Sequence, residues 1–310
     1  MLACPEHINL STGLVKTLEF FDALRIAARA FGRRLTVDLR SIKTITPAGA
    51  LALAAEFDAW RKRLNLKKLN TIDADEWDPV VRARLREMGF FELLHAKCNV
   101  AEASGNPSDR FLPFITGVGS EGEAAKGLRA SIESLGLIIR DSGALYDGLV
   151  EAMTNVRQHA YGLGDVSKGW WMSASVDVTA SKLTVLFLDH GVGIPKTLPK
   201  SDLWERVRNY FTERGLDLLA NDAKLIEAAM SIERSSTKEE HRGNGLKNDI
   251  QGYVETHHAR GKLRIMSNRG QYVYEKDADG SESISTKKLD AAITGTFIEW
   301  IIDDYGARNG

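Results

Sequence analysis

Three short segments of this chain carry residue types suited to holding a nucleotide and a cation. The first is Glu151-Ala152-Met153-Thr154-Asn155, continuing to His159. On an α-helix, Glu151, Asn155 and His159 fall on one face, beside an apolar stripe of Leu145, Leu149, Ala152 and Val156. A carboxylate and an amide oxygen one turn apart suit a small hard cation such as Mg2+, which takes few protein ligands and leaves the rest of its shell to water and phosphate. The second segment is Asp189-His190-Gly191-Val192-Gly193-Ile194-Pro195, directly after an apolar run. Its glycines let the backbone turn sharply or come close to a flat ligand, and Asp189 at a strand end can accept a hydrogen bond from an exocyclic amine. The third, Arg242-Gly243-Asn244-Gly245-Leu246, opens a helix, where unpaired N–H groups bind phosphate; Arg242 and Lys247 add positive charge. A fainter fourth element is Gly295-Thr296-Phe297, whose Thr296 hydroxyl can sit under a base. Each segment alone also fits an ordinary role: a solvated helix face, a glycine turn, a glycine N-cap. Their occurrence together and in order points to one nucleotide site.

These residues need elements to position them. In the second half, residues 121–135 and 144–161 read as helices, and residues 169–178 and 182–189 as strands with alternating apolar positions. Residues 201–232 and 243–258 read as helical, and 262–267, 271–275 and 295–302 as further strands. The expected architecture is α/β, with helices on one face of a mixed or largely antiparallel sheet. The first half alternates differently. Leu35–Leu39 is a short β-type run; Thr46-Pro47 opens a helix, with Thr46 as cap and Pro47 at the first helical position. Residues 69–72 read as a strand, and Asp78-Pro79 opens a second helix through Met88. The expected organisation is a βαβα domain at 1–98, a linker at 99–120 rich in Gly, Ser, Pro and Asn, and an α/β domain at 121–310.

Composition narrows the function classes. A net charge of −1 gives no support to a nucleic-acid or anionic-membrane surface. No apolar stretch approaches the ~20 residues that span a bilayer, and Glu6 and His7 stand where a signal peptide would be apolar, so the expectation is a cytoplasmic protein. Two cysteines, Cys4 and Cys98, exclude a disulfide-stapled fold. Cys4 with His7 and His95 with Cys98 could supply four zinc ligands if the ends of the first domain met; idle thiols are the commoner outcome.

The order E-x-x-x-N, D-x-G-x-G, R-G-x-G-L and G-T over residues 120–303 resembles the GHKL ATPase superfamily of gyrase, the large heat-shock chaperone, histidine kinases and the mismatch-repair ATPase. Glu151 to Tyr161 is most similar to the anti-sigma-factor serine kinases within it. The resemblance implies a Bergerat-type α/β sandwich that binds ATP and Mg2+. It implies that Asn155 holds the metal, Glu151 activates the attacking nucleophile, and Asp189 reads the adenine amino group with Gly191, Gly193, Ile194 and Thr296 around it. It also implies that Arg242, Gly243, Asn244, Gly245 and Leu246 cradle the phosphates, with residues 196–241 as a lid. No histidine sits in the phosphoacceptor pattern of a sensor kinase. The expected reaction is Mg2+-dependent ATP hydrolysis coupled to a lid or partner switch. Two other readings use the same pocket: serine/threonine phosphotransfer to a partner, and a non-hydrolysing, nucleotide-gated binding module. Residues 8–96 resemble a STAS domain, which implies a protein partner. Pro47 stands where anti-sigma-factor antagonists carry a phosphorylatable serine, so no phospho-switch is expected there. Oligomerisation is compatible with either half.

Overall fold

The computed structural model describes residues 1–99, 109–118, 122–134, 142–156, 169–201, 203–215, 217, 221–232, 250–257 and 260–303. In chain order the elements are β1 (Leu2–Ala3), β2 (His7–Ile8), α1 (Leu14–Phe31), β3 (Val37–Asp38), β4 (Thr44–Ile45), α2 (Pro47–Arg63), α3 (Pro79–Glu87), α4 (Phe90–Leu93), β5 (Asp109–Phe111) and β6 (Ile115–Gly117). They continue with α5 (Gly122–Ser134), α6 (Ser142–Asn155), β7 (Trp170–Asp177), β8 (Lys182–Asp189), α7 (Ile194–Thr197), α8 (Trp204–Glu213), α9 (Asp222–Ile232), α10 (Gly252–His257), β9 (Gly261–Lys276) and β10 (Glu282–Asp303).

Capping chemistry starts α2 and α3 where the sequence says. The Thr46 side chain accepts from Gly49 N at 3.1 Å, with Pro47 at the first helical position. Asp78 accepts from the Val80 and Val81 amides at 2.9 and 3.2 Å before Pro79. These side-chain oxygens satisfy N–H groups that lack an intrahelical partner. Helix α2 is buried along its whole length from Ala48 to Trp60, which its small residues allow. A Cβ on Gly49 would fall 2.3 Å from the Ile8 carbonyl oxygen, so only glycine lets the helix start against β2.

The second half is built on a six-stranded sheet of order β5-β7-β8-β10-β9, with β6 also on β7. Every pairing in it is antiparallel, the second of the two expected forms of the sheet. The two strands expected at 262–267 and 271–275 are one continuous strand, β9, and β10 reaches back to Glu282 to pair with it. Residues 109–117, inside the stretch read as a linker, supply β5 and β6.

Helices lie on both faces of this sheet, not one. Residues of α5, α6, α9 and α10 form a core with Trp170, Phe187, Val185, Ile298 and Trp300 on one face. The opposite face, with Trp171, Leu186, Leu188, Met266 and Phe297, packs into the core of the first half. Because successive strand residues alternate sides, a strand apolar at consecutive positions must be covered twice. Trp170 and Trp171 are both fully buried, one on each face. The covering layer is α2 and α1; α1 has no counterpart in the sequence reading.

The first half departs from the expected βαβα sheet. Its strands form two separate parallel pairs, β1 with β3 and β2 with β4, of two residues each. Residues 69–72 form no strand; Leu69 N donates to Leu94 O at 3.1 Å instead. Among the described residues no helix is long and apolar enough to cross a membrane.

Candidate functional site

A cavity of about 740 Å3, counting its opening to solvent, lies on the α6 face of the sheet at the end of β8. The last turn of α6 and the residue after it contribute Ala152, Asn155 and Val156; β8 contributes Phe187 and Asp189; the following turn and α7 contribute Gly193, Ile194 and Thr197; β10 contributes Thr296 and Ile298. Five of the sequence-predicted residues, Asn155, Asp189, Gly193, Ile194 and Thr296, therefore line one cavity.

Asp189 is the most constrained. It is 4% exposed, and its Oδ1 accepts the Gly191 N–H at 2.6 Å. Burial pushes its carboxyl up to about 7, opposed by hydrogen bonds from Gly191 and from the backbone and hydroxyl of Thr296. Those bonds require β10 to press against β8 at this point. A Cβ on Gly295 would fall 2.0 Å from the Asp189 carbonyl oxygen, and Gly295 has φ +74°; no other residue fits there.

The turn after Asp189 is tied to β9 and β10. Ser267 Oγ accepts from Ile194 N at 2.9 Å, donates to Gly295 O at 2.9 Å and lies 3.2 Å from Thr296 Oγ1. Asn268 Nδ2 donates to Val192 O at 3.1 Å. Gly193, at φ +89°, leaves the space for this: a Cβ there would meet Asn268 Oδ1 and Ser267 Oγ at 2.7 Å. Ser267 and Asn268 were missed by sequence reasoning. Their role comes from strand register, Ser267 opposite Thr296, and no local pattern signals it.

Glu151 and Asn155 meet as helical spacing requires. Asn155 Nδ2 donates to Glu151 Oε1 at 3.1 Å, which leaves the amide oxygen of Asn155 as the atom for a cation. Burial pushes the Glu151 carboxyl above the usual range, opposed by that hydrogen bond. Glu151 is half-buried and adjoins the cavity through Asn155. Residues Arg242, Gly243, Asn244, Gly245 and Leu246, His159, and much of the expected lid lie outside the described residues.

No family model matches the chain, and no curated protein matches it significantly.

His190 turns to the other face of the sheet, again by strand alternation. Its ring lies 4.7 Å from that of Trp171, and its Nε2 is 3.4 Å from Glu56 Oε1 of α2. Burial, reinforced by Arg25, Arg63 and Lys62, pushes His190 down to about 3, so it is neutral at pH 7. Glu56 is itself pushed up to about 7 by burial, opposed by its ion pair with Arg25. Two residues along α2, Asp58 accepts from Trp171 Nε1 at 2.9 Å and pairs with Lys62 and Arg61 at 2.8 and 2.7 Å. The end of β8 and its neighbour β7 are thus each backed by a polar contact to α2.

Zinc finds no site in the first half. Among the described residues no group of three or more His, Cys, Asp or Glu is placed to hold a metal ion. Cys4 is buried, which pushes its thiol far up, and Cys98 Sγ accepts from Arg86 at 2.9 Å.

Proposed function

We propose that the chain is an ATP-binding protein of the GHKL type that hydrolyses ATP slowly, with the nucleotide state coupled to the lid or to a protein partner of the first half. The observation carrying this reading is convergence: Asn155 on a helix, Asp189 at a strand end, Gly193 in a turn and Thr296 on a distant strand line a single cavity. In this reading Asp189 accepts a hydrogen bond from the adenine amino group, and the Thr296 hydroxyl supports it. Phe187, Ile194 and Ile298 supply the apolar wall against the ring.

The donor set at the other end is oxygen-only, which fits Mg2+. Asn155 Oδ1 would hold the ion, with Glu151 behind it; when bound, Mg2+ neutralises charge on the phosphates. Glu151, with its carboxyl raised by burial, is a stronger base than an exposed glutamate and is suited to take a proton from the attacking water. The Arg242–Leu246 loop would receive the phosphates through its backbone N–H groups.

The test is calorimetry with ATP and Mg2+ on folded protein, beside a turnover assay. Asp189→Ala is expected to abolish nucleotide binding. Glu151→Ala is expected to bind nucleotide with affinity near wild type and to turn over none. No heat of association with wild type rejects the reading, and turnover surviving Glu151→Ala rejects the base assignment.

A further inference from the structure

The first half holds a second cavity, unrelated to the nucleotide pocket, of about 1020 Å3 counting its open mouth. It lies between residues 33–39, which carry β3, and residues 66–72. Its inner wall is aromatic and apolar, with Phe57, Trp60, Trp77, Phe90 and Leu94 each at most 8% exposed, while Thr36, Asn70 and Thr71 add polar groups to the lining. Trp60 carries a further mark. Its indole N–H is buried with no hydrogen-bond partner, whereas the Trp77 N–H donates to Ile72 O at 3.2 Å. A buried donor left unpaired is costly and uncommon, so an acceptor seated against Trp60 has something to gain.

The rim is cationic. Arg33 and Lys68 line the mouth and are exposed. Helices α1 and α2 run side by side in the same direction: Arg25 pairs with Glu56, and a Cβ on Gly32 would lie 3.8 Å from Leu64 Cδ2. Their C-terminal ends therefore bring Arg29, Arg33, Arg34, Arg63, Lys67 and Lys68 to one region, and residues 59–72 contain no acidic side chain. Asp38, Asp73 and Glu76 gather instead around Arg40, at 2.9, 3.8 and 2.9 Å.

From this juxtaposition of a deep aromatic cavity, an unsatisfied indole donor and a cationic rim, we propose that the first half binds a small amphipathic organic anion. Its apolar body fills the cavity against Trp60 and Trp77, and its negative head sits at Arg33 and Lys68. Burial of the apolar body supplies the affinity, while the exposed cations select the charged head and make binding salt-dependent. This site does not depend on the nucleotide reading.

The test uses two dyes on the full chain, anionic anilinonaphthalene sulfonate and neutral N-phenylnaphthylamine, followed by dye fluorescence and by quenching of tryptophan emission. Both are expected to bind wild type. The double variant Arg33→Glu/Lys68→Glu changes only exposed side chains. It is expected to weaken the anionic dye at least tenfold and the neutral dye less than threefold. Ala96→Trp, which fills the cavity from its wall, is expected to remove both. Failure of the anionic dye to bind wild type, or binding unchanged by both variants, overturns the site. Equal weakening of the two dyes by the charge reversal overturns the role of the cations.

Discussion

Replacing Asp189 by asparagine tests the electrostatics of the pocket without any ligand. The carboxyl is pushed from 3.8 up to about 7 in the folded protein, while in the unfolded chain it titrates near its ordinary value. Across the window between these values the native state keeps a proton that the unfolded state has released. Stability must therefore fall as pH rises through it. At about 1.4 kcal/mol per unit, Asp189 removes roughly 4 kcal/mol from about pH 4 to about pH 7, of which roughly 3 kcal/mol falls above about pH 5. Asparagine cannot ionise and escapes this loss. Its amide nitrogen replaces one of the two carboxyl oxygens beside Gly191 and Thr296, which costs ~1–3 kcal/mol. Asp189→Asn is thus expected to be the less stable protein at about pH 5 and to improve relative to wild type by roughly 3 kcal/mol by about pH 8. Glu56 and every other shared group cancel in the difference. Urea unfolding of both proteins at steps across this range measures it directly. A difference between the two that stays constant within about 0.5 kcal/mol from the acid to the alkaline end would refute the burial of a raised carboxyl here.

Two further outcomes follow from the contacts around this strand end. Gly295→Ala forces a Cβ to within 2.0 Å of the Asp189 carbonyl oxygen at a positive φ; the combined overpacking and backbone strain is expected to cost roughly 2–4 kcal/mol, read as a lower urea midpoint, and a loss under about 0.5 kcal/mol would mean β8 and β10 do not meet as described. Asp58→Ala strips the partner from the buried Trp171 N–H and from Lys62 and Arg61; a destabilisation of about 3–5 kcal/mol is expected in thermal or urea unfolding, and a neutral effect would mean that α2 does not bolt the first half to the sheet.

What could be read from the sequence was what short-range chemistry specifies. Thr46-Pro47 and Asp78-Pro79 start helices because a cap needs only residues a few positions away. Glu151 and Asn155 meet because helical spacing brings them together, and β8 runs from Lys182 to Asp189 because its apolar pattern and the glycines after it bound it. The tertiary structure alone decided the contacts between residues far apart in the chain. No local pattern says that Gly295 presses on Asp189, that Ser267 ties the Gly193 turn to Thr296, or that α1 and α2 cover the second face of the sheet. The stretch at 69–72 shows the same limit from the other side. Its apolar residues suit a strand, but a strand exists only where a partner edge is in register, and here that space is the aromatic cavity.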